Sequence, residues 1–198
     1  MGRFYTSDWH LNERRITPEF NPFFRDFKSV EEQNEYIIQK CNEHVGEDDE
    51  LWHLGDVAID VEGLKWMDKL RCKNRHLIVG NYDNDKLYEL GAYFCSMQRT
   101  SVVTIDDVQY KLNHYPIEAD STMMNIVGHI HGLWKVQPGI INVGVDAWNF
   151  RPLSDKDIAF LRIAICKYYD ENVFPLQADL DSKRQEMLSE DFKKWKGN

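Results

Sequence analysis

Short polar clusters recur along this chain, and their side chains are of the types that bind metal ions. In chain order the clusters are Asp8-Trp9-His10, Gly55-Asp56, Gly80-Asn81-Tyr82-Asp83, Asn113-His114, Gly128-His129-Ile130-His131-Gly132 and Asn142-Val143-Gly144. Two of their aspartates (Asp8 and Asp56), one asparagine (Asn81) and all four histidines form a ligand set for two metal ions that share a bridging carboxylate. Two such ions can activate a water molecule and hold both oxygens of an in-line displacement at phosphorus.

The spacing within the clusters indicates how the ligands are shared. Asp8 and His10 lie two residues apart, so at the end of a strand they face the same side and can chelate one ion. Asp56 can bridge two ions with its two carboxylate oxygens. His129 and His131 also share one face, and each can reach a different ion.

Each cluster follows an apolar segment that is typical of a β-strand. Strands are predicted over residues 3–7, 50–54, 76–79, 101–105, 108–112, 125–127 and 140–143, with a hairpin turn at Asp106-Asp107. In sheets flanked by helices, binding sites form in the crevice at the carboxyl ends of the strands. The clusters are therefore expected to converge at one rim of a sheet core.

Two longer helices are predicted to flank the strands. Ser29-Val30-Glu31-Glu32 is a capping box that opens a helix to about Val45. Ser154-Asp155-Lys156-Asp157 caps a second helix that ends near Tyr169. Residues 1–177 are predicted to form one domain, and the highly charged residues 178–198 a C-terminal tail or helix that could serve as a dimerisation arm.

Composition excludes several classes of protein. The chain has 198 residues, 42% of them apolar, which is ordinary for a folded globular domain. A formal net charge of -9 argues against binding long nucleic acid through the general surface, although a nucleotide substrate stays possible. The four cysteines are widely spaced, which is typical of reduced thiols in a cytoplasmic protein. No membrane segment is expected, because no apolar run has the length that spans a membrane.

The ordered set of clusters resembles the calcineurin-like metallophosphoesterase superfamily, and in particular its small single-domain bacterial and phage members. The resemblance covers Phe4 to about Leu153. It implies an α/β fold, a four-layer α/β/β/α sandwich, with a dinuclear metal centre in which a hydroxide bridging the metals attacks phosphorus. By this resemblance one ion is bound by Asp8, His10 and His131, the other by Asn81, His114 and His129, and Asp56 lies between them.

Donors of imidazole, carboxylate and amide type, without thiolate, favour two divalent ions such as Mn²⁺, with iron, Zn²⁺ or Ni²⁺ as alternatives. The residues predicted to act in catalysis are Asp56, Asn81, Tyr82 and Asp83. Tyr82 departs from the family, which commonly carries histidine there, placed to assist the leaving oxygen. A phenol is a poorer general acid at neutral pH than an imidazolium. The departure favours a phosphodiesterase acting on a small nucleotide-like substrate.

Other interpretations stay open from the sequence alone. The same site can serve a phosphomonoesterase, or a metal-binding interaction module without turnover. Arg14 and Arg15 follow the first cluster and either contact a substrate phosphate or are solvated surface charges. Asn142 and Asp146 are candidates to orient the ligating imidazoles. His53 is interpreted as a packed, hydrogen-bonded histidine of the core.

Overall fold

The computed structural model describes residues 2–16 and 25–169, and two five-stranded sheets form the centre of the fold. In spatial order the first sheet contains β10 (Leu153–Ser154), β1 (Arg3–Thr6), β2 (Glu50–His53), β3 (Asn74–Ile78) and β4 (Ser96–Gln98). Strands β1 to β4 are parallel, and β10 pairs antiparallel with β1. The carboxyl ends of β1, β2 and β3 therefore meet at one edge.

The second sheet has a parallel centre with an antiparallel strand on either side. In spatial order its strands are β5 (Thr100–Ile105), β6 (Val108–Asn113), β7 (Met124–Val127), β9 (Ile140–Asn142) and β8 (Val136–Gln137). The predicted hairpin of β5 and β6 is confirmed, and both turn residues, Asp106 and Asp107, have positive φ angles of 47° and 61°. Aspartate tolerates this backbone conformation better than most residues.

Helices flank the two sheets. The longer ones are α1 (Val30–His44) and α4 (Asp155–Tyr168), and the short ones are α2 (Val61–Leu64) and α3 (Leu87–Leu90). The predicted cap of α1 is confirmed, because the Ser29 hydroxyl accepts a hydrogen bond from the Glu32 amide at 3.1 Å. The cap of α4 is confirmed in the same way, with the Asp157 amide donating to Ser154 Oγ at 3.3 Å.

The main hydrophobic core lies between α1 and the first sheet. It contains Ile37, Ile38 and Cys41 of α1 together with Leu51 of β2 and Leu77 of β3. Against the second sheet, Arg162 and Ile165 of α4 line a cavity with Val108 and Met124. The two sheets and the helices that flank them confirm the predicted α/β fold.

The chain divides into two compact units, Met1–Cys166 and Lys167–Asn198. The predicted tail of residues 178–198 lies outside the described residues, so the boundary at residue 177 stays a prediction. In the described ranges, no helix is long and apolar enough to cross a membrane.

Candidate metal centre

The predicted ligand clusters follow strands of both sheets. Beyond β1 the chain continues to pair with the segment after β2, through the Asp8 amide to the Gly55 carbonyl and the His10 amide to the Asp56 carbonyl, both at 3.0 Å. The two sheets join at the same edge, where the Val145 amide donates to the Ser7 carbonyl at 3.1 Å. Strand ends of the first and second sheets therefore share one rim.

Two groups of side chains at this rim have the geometry of metal sites. We call Asp8, His10 and His131 the first ligand group, and Asp56, His114 and His129 the second ligand group. Within each group, one potential ligand atom per residue lies within 4.8 Å of the others. The first group is the set that the resemblance implied for one ion. The second contains Asp56, the implied bridge, in place of Asn81, and His129 and His131 are divided between the groups as the resemblance implied.

Asp56 lies between the two groups. Its Oδ2 atom is 3.4 Å from Nε2 of His10 in the first group and 3.5 Å from Nε2 of His114 in the second. Its Oδ1 atom accepts a hydrogen bond from the Tyr82 amide at 2.9 Å, which fixes the orientation of the carboxylate. Asn81 completes the second group, since its Oδ1 atom lies 3.1 Å from Nε2 of His114.

We expected extended strand ends at these positions, but the backbone there is not extended. β1 ends at Thr6, and five of the predicted ligands have positive φ angles: Asp8 (60°), His10 (47°), Asp56 (60°), His129 (73°) and His131 (51°). Residues other than glycine adopt this conformation at an energetic cost, and such positions concentrate at functional sites. Turning side chains inward from left-handed positions brings ligands from separate loops together.

Asp83 has a different place from the one predicted. It is fully buried, and its carboxylate accepts hydrogen bonds from the backbone amides of Asp56 (2.9 Å), Val57 (3.0 Å) and Gly80 (2.8 Å). These bonds tie together the loops that carry Asp56 and Asn81. The expectation of a catalytic Asp83 is therefore corrected to a positioning role, since its oxygens face backbone amides and not the site.

Gly80 lets these two loops approach closely. A Cβ atom at this position would overlap the Asp56 carboxylate and lie 2.7 Å from the Asp56 amide nitrogen. Any side chain would push the bridging carboxylate out of place. The glycine of the Gly80-Asn81 motif is thus required by packing against the site and not by turn geometry alone.

A buried ion pair holds His131 of the first group. Its Nδ1 atom is 2.7 Å from Asp146 Oδ2, and Arg25 Nε donates to Asp146 Oδ1, also at 2.7 Å. Arg25 further donates to the backbone carbonyls of Asp8 (2.6 Å) and Trp9 (2.8 Å). With Nδ1 engaged by the carboxylate, Nε2 of His131 is left to face the site.

In the second group, a backbone carbonyl orients His114 as Asp146 orients His131. Nδ1 of His114 lies 2.6 Å from the Leu54 carbonyl oxygen. Because a carbonyl only accepts, Nδ1 carries a proton, and Nε2 is the nitrogen that faces the site and would have to lose its own proton to bind an ion. Both held histidines therefore present the same nitrogen.

Burial and neighbouring charges shift the pKa values of residues in both groups. Burial lowers the pKa of His10 to about 3, so its ring is neutral at physiological pH. Burial also opposes charge on His114, but its hydrogen bond with Asp56 and the charges of Asp8 and Asp56 raise its pKa to about 9. Burial raises the pKa of the Asp8 carboxyl to about 6, despite the nearby charges of His114 and His131.

The donor set fits divalent metal ions. Nε2 of His10 is buried, and among the described residues it has no hydrogen-bond partner. A buried polar atom without a partner is costly, and coordination to an ion removes that cost. Two ions would also relieve the repulsion between the carboxylates of Asp8 and Asp56, since the charge of Asp56 contributes to the raised pKa of Asp8 and of the buried Asp83.

The two groups open into one cavity of about 240 Å³. Its lining contains predicted ligands and three further residues: His10, Asp56, Asn81, His129 and His131, with Glu13, Arg15 and Tyr82. The Tyr82 ring lies edge-on to His10, with ring centroids 4.9 Å apart. Its hydroxyl accepts a hydrogen bond from Arg15 Nη2 at 3.2 Å. Tyr82 thus lines the site, as predicted, while its catalytic role stays a prediction.

Sequence reasoning missed two features of this site. Nothing in the local sequence of Arg25 marks it as the partner of Asp146. Glu13 was not considered at all, although it is 5% exposed and binds Arg15 with both carboxylate oxygens. Both contacts join residues of the loop after β1 to the site, and only the tertiary structure reveals them.

The remaining expectations have mixed outcomes. Asp146 orients an imidazole as expected, whereas Asn142 instead donates to the backbone carbonyls of His131 and Trp134, both at 2.7 Å. His53 is fully buried and packed on Trp9, but within the described part of the chain neither ring nitrogen has a hydrogen-bond partner. The expectation of a hydrogen-bonded His53 was therefore wrong, and burial keeps its ring neutral by lowering the pKa to about 3.

The ordered ligand clusters, which the structure brings to the common rim of two mixed sheets, are the feature by which this sequence resembles the calcineurin-like metallophosphoesterases. No family profile matches the chain. The gene 66 protein of Mycobacterium phage L5 is 27% identical over 183 residues, which cover 73% of this chain and 86% of the phage protein.

Two solved structures align with this chain, and the first of them has the same fold. A protein of unknown function from Aquifex aeolicus, AQ665, aligns over 81% of this chain and 98% of its own, with a TM-score of 0.65 and 23% identity. The phosphoesterase YfcE of E. coli aligns over 73% of this chain and 78% of its own, with a TM-score of 0.41 and 15% identity.

Proposed function

We propose that this protein hydrolyses phosphoesters with the help of two divalent metal ions. The observation that carries the proposal is the position of Asp56, whose Oδ2 atom lies within 3.5 Å of an imidazole of each ligand group. A carboxylate shared in this way is what a two-metal site for displacement at phosphorus requires.

The first ligand group would hold one ion, and Asn81 with His114 and His129 the other. When bound, such ions supply an activated water and neutralise phosphoryl oxygens. The chain itself contributes orientation. Asp146 and the Leu54 carbonyl direct the Nε2 atoms of His131 and His114 toward the ions, and Tyr82 can donate a hydrogen bond to substrate.

We favour Mn²⁺ as the native ion, because the donors are imidazole, carboxylate and amide groups without a thiolate. Iron, Zn²⁺ and Ni²⁺ accept the same ligands. The choice among them also depends on metal supply in the cell.

We favour a small nucleotide-like phosphodiester as the substrate, and a cytoplasmic location. A cavity of about 240 Å³ fits a phosphoryl group with a small substituent. A net charge of -9 disfavours long nucleic acid. Tyr82 is a weak acid at neutral pH, so alkoxide leaving groups of simple monoesters should react slowly. Association of copies through residues 178–198 stays a prediction.

The test compares two chromogenic substrates with Mn²⁺-loaded protein: bis-p-nitrophenyl phosphate, a diester, and p-nitrophenyl phosphate, a monoester. Asp56→Asn is the matched blank. Faster turnover of the diester, lost in the variant, supports a phosphodiesterase, and faster turnover of the monoester supports the alternative, a phosphomonoesterase. No turnover of either substrate by protein shown to hold metal would contradict the enzyme proposal and favour a non-catalytic metal-binding module.

Two variants, Tyr82→Phe and Tyr82→His, test whether Tyr82 accounts for a preference for diesters over monoesters. If Tyr82 limits protonation of the leaving group, Tyr82→His should raise the ratio of monoester to diester turnover by about tenfold, within the usual contribution of a positioned acid. Tyr82→Phe serves as the control for ring packing on His10. An unchanged ratio in Tyr82→His would remove Tyr82 from the explanation of substrate preference.

A further inference from the structure

Three residues of the cavity lining are not metal-ligand candidates, and they contact one another. Arg15 donates from Nε to Glu13 Oε1 at 2.9 Å and from Nη2 to Glu13 Oε2 at 2.6 Å. Nη2 also donates to the Tyr82 hydroxyl at 3.2 Å. Glu13 is buried, whereas the Arg15 side chain is 66% exposed. A buried carboxylate therefore anchors one edge of a guanidinium whose other edge faces the cavity.

The hydrogen bonds of this cluster leave specific donors unused. Glu13 engages Nε and one proton of Nη2, and Tyr82 accepts the other. Among the described residues, Nη1 of Arg15 has no acceptor. Because the Tyr82 oxygen already accepts from Arg15, its own proton is directed elsewhere, and no described residue accepts it. Arg15 and Tyr82 thus present N–H and O–H donors side by side.

The geometry of displacement at phosphorus assigns these donors a partner. In an in-line displacement the leaving oxygen lies opposite the entering oxygen. The entering oxygen belongs on the side of the ligand groups. Arg15 and Tyr82 are the lining residues outside those groups that carry hydrogen-bond donors, so we assign the leaving oxygen to them. An arginine fixed by a carboxylate is preorganised to stabilise negative charge there.

On the basis of the proposed function, we propose that Arg15 and Tyr82 form an oxyanion clamp that binds the leaving group, with Glu13 as the positioning residue. In hydrolysis the water oxygen bonds to phosphorus and releases a proton to solvent. The P–O bond to the leaving group breaks with its electron pair on the leaving oxygen, which departs unprotonated and is stabilised by the clamp. The cluster offers a cation and a neutral phenol but no strong acid.

The clamp narrows the substrate class. It serves leaving oxygens that depart as anions, whereas alkoxides, which need a proton, still react slowly because the cluster contains no strong acid. Among nucleotide-like diesters it favours a pyrophosphate linkage, where the leaving group is a phosphate, over a sugar–phosphate ester linkage, where the leaving group is an alkoxide.

The kinetic test measures kcat/KM for a series of aryl phosphodiesters of increasing leaving-group basicity. It compares Mn²⁺-loaded wild-type protein with Arg15→Gln, Arg15→Lys and the neighbouring control Arg14→Gln, since Arg14 is not among the residues lining the cavity. The clamp predicts a loss of about tenfold with p-nitrophenolate and about a hundredfold with phenolate in Arg15→Gln. In Arg15→Lys, which keeps a cation beside Glu13, kcat/KM should also fall more for the more basic leaving group, but by smaller factors. Plots of log kcat/KM against leaving-group pKa that are parallel for the wild type and both Arg15 variants would overturn the clamp.

A binding test separates failure of the clamp from failure of the proposed function. Inorganic phosphate has four oxygens, so one can take the position of the leaving oxygen. Titration calorimetry with Mn²⁺-loaded protein should show about tenfold weaker binding in Arg15→Gln and unchanged binding in Arg14→Gln. Weaker binding without any ester turnover would support the clamp and refute the hydrolase. Normal turnover with unchanged phosphate binding in Arg15→Gln would overturn the clamp alone.

Discussion

The two ligand groups contain the same types of side chain but are held in different ways. The first group depends on a buried ion pair, in which Arg25 and Asp146 fix His131, and the side chain of Arg25 is fully buried. The second group depends on a neutral backbone carbonyl behind His114, and its His129 is exposed. Two groups with the same types of ligand can therefore differ in metal affinity. We expect the first group to bind its ion more tightly than the second.

Asp56→Asn should have the largest effect, because it alters both groups at once. We expect hydrolysis of bis-p-nitrophenyl phosphate to fall about a thousandfold, the upper range for losing one preorganised electrostatic contact. The fold should persist, since the asparagine side-chain oxygen can still accept the hydrogen bond from the Tyr82 amide. Steady-state kinetics and a thermal melt measure the two quantities. Retained activity would show that the groups do not share Asp56.

Removing one histidine from each group tests the predicted order of affinity. His131→Ala should abolish the tighter of two binding events in a calorimetric Mn²⁺ titration and leave the weaker one. His129→Ala should leave the tighter event unchanged, because His129 belongs to the other group. Loss of the same event in both variants would contradict the separation into two groups.

Asp146→Asn should weaken the first site while sparing the second. Loss of a carboxylate behind a ligating histidine typically costs 10- to 100-fold in metal affinity. The variant also leaves Arg25 buried without its ion-pair partner, which should lower the free energy of unfolding by about 3 kcal/mol. Glu62→Gln is the control, because it breaks an exposed pair with Lys65 and should cost under about 1 kcal/mol. Equal stability of the two variants would show that the buried pair is not what holds the first group.

The second site should show the clearest dependence on pH. His114 has a raised pKa of about 9 in the metal-free protein, so below that pH its ring carries a proton that an ion must displace. Metal affinity at this site should therefore fall about tenfold for each pH unit between 8 and 6.5. Calorimetry in buffers of different ionisation enthalpy measures the released protons. Binding without proton release would contradict the charged state of His114.

Much of this arrangement could be predicted from the sequence, because strand ends and helix caps are local signals. The hairpin at Asp106-Asp107 and the Ser29 cap were correct for that reason. The short strands β4, β8 and β10 were missed, since two or three residues carry no readable periodicity. The left-handed backbone at Asp8 and His10 was missed because the residues beside them have a strand pattern. The conformation is explained only by the site, where both side chains belong to the first ligand group.

The long-range contacts of charged residues were the least predictable part. Arg25 contacts Asp146 across 121 positions of the chain, and Arg15 contacts Tyr82 across 67. A basic residue in a loop has the same local sequence whether it is solvated or buried against a distant carboxylate. Such partners follow from the packing of the loop after β1 onto the site and have no local signature.

Anomalous diffraction from crystals of the Mn²⁺-loaded protein tests the central claim most directly. We expect two Mn²⁺ peaks, one in contact with Asp8, His10 and His131 and one with Asn81, His114 and His129, with Asp56 contacting both. The peak of the first group should have the higher occupancy at limiting Mn²⁺. A single peak, or two peaks without Asp56 between them, would contradict a shared two-metal centre.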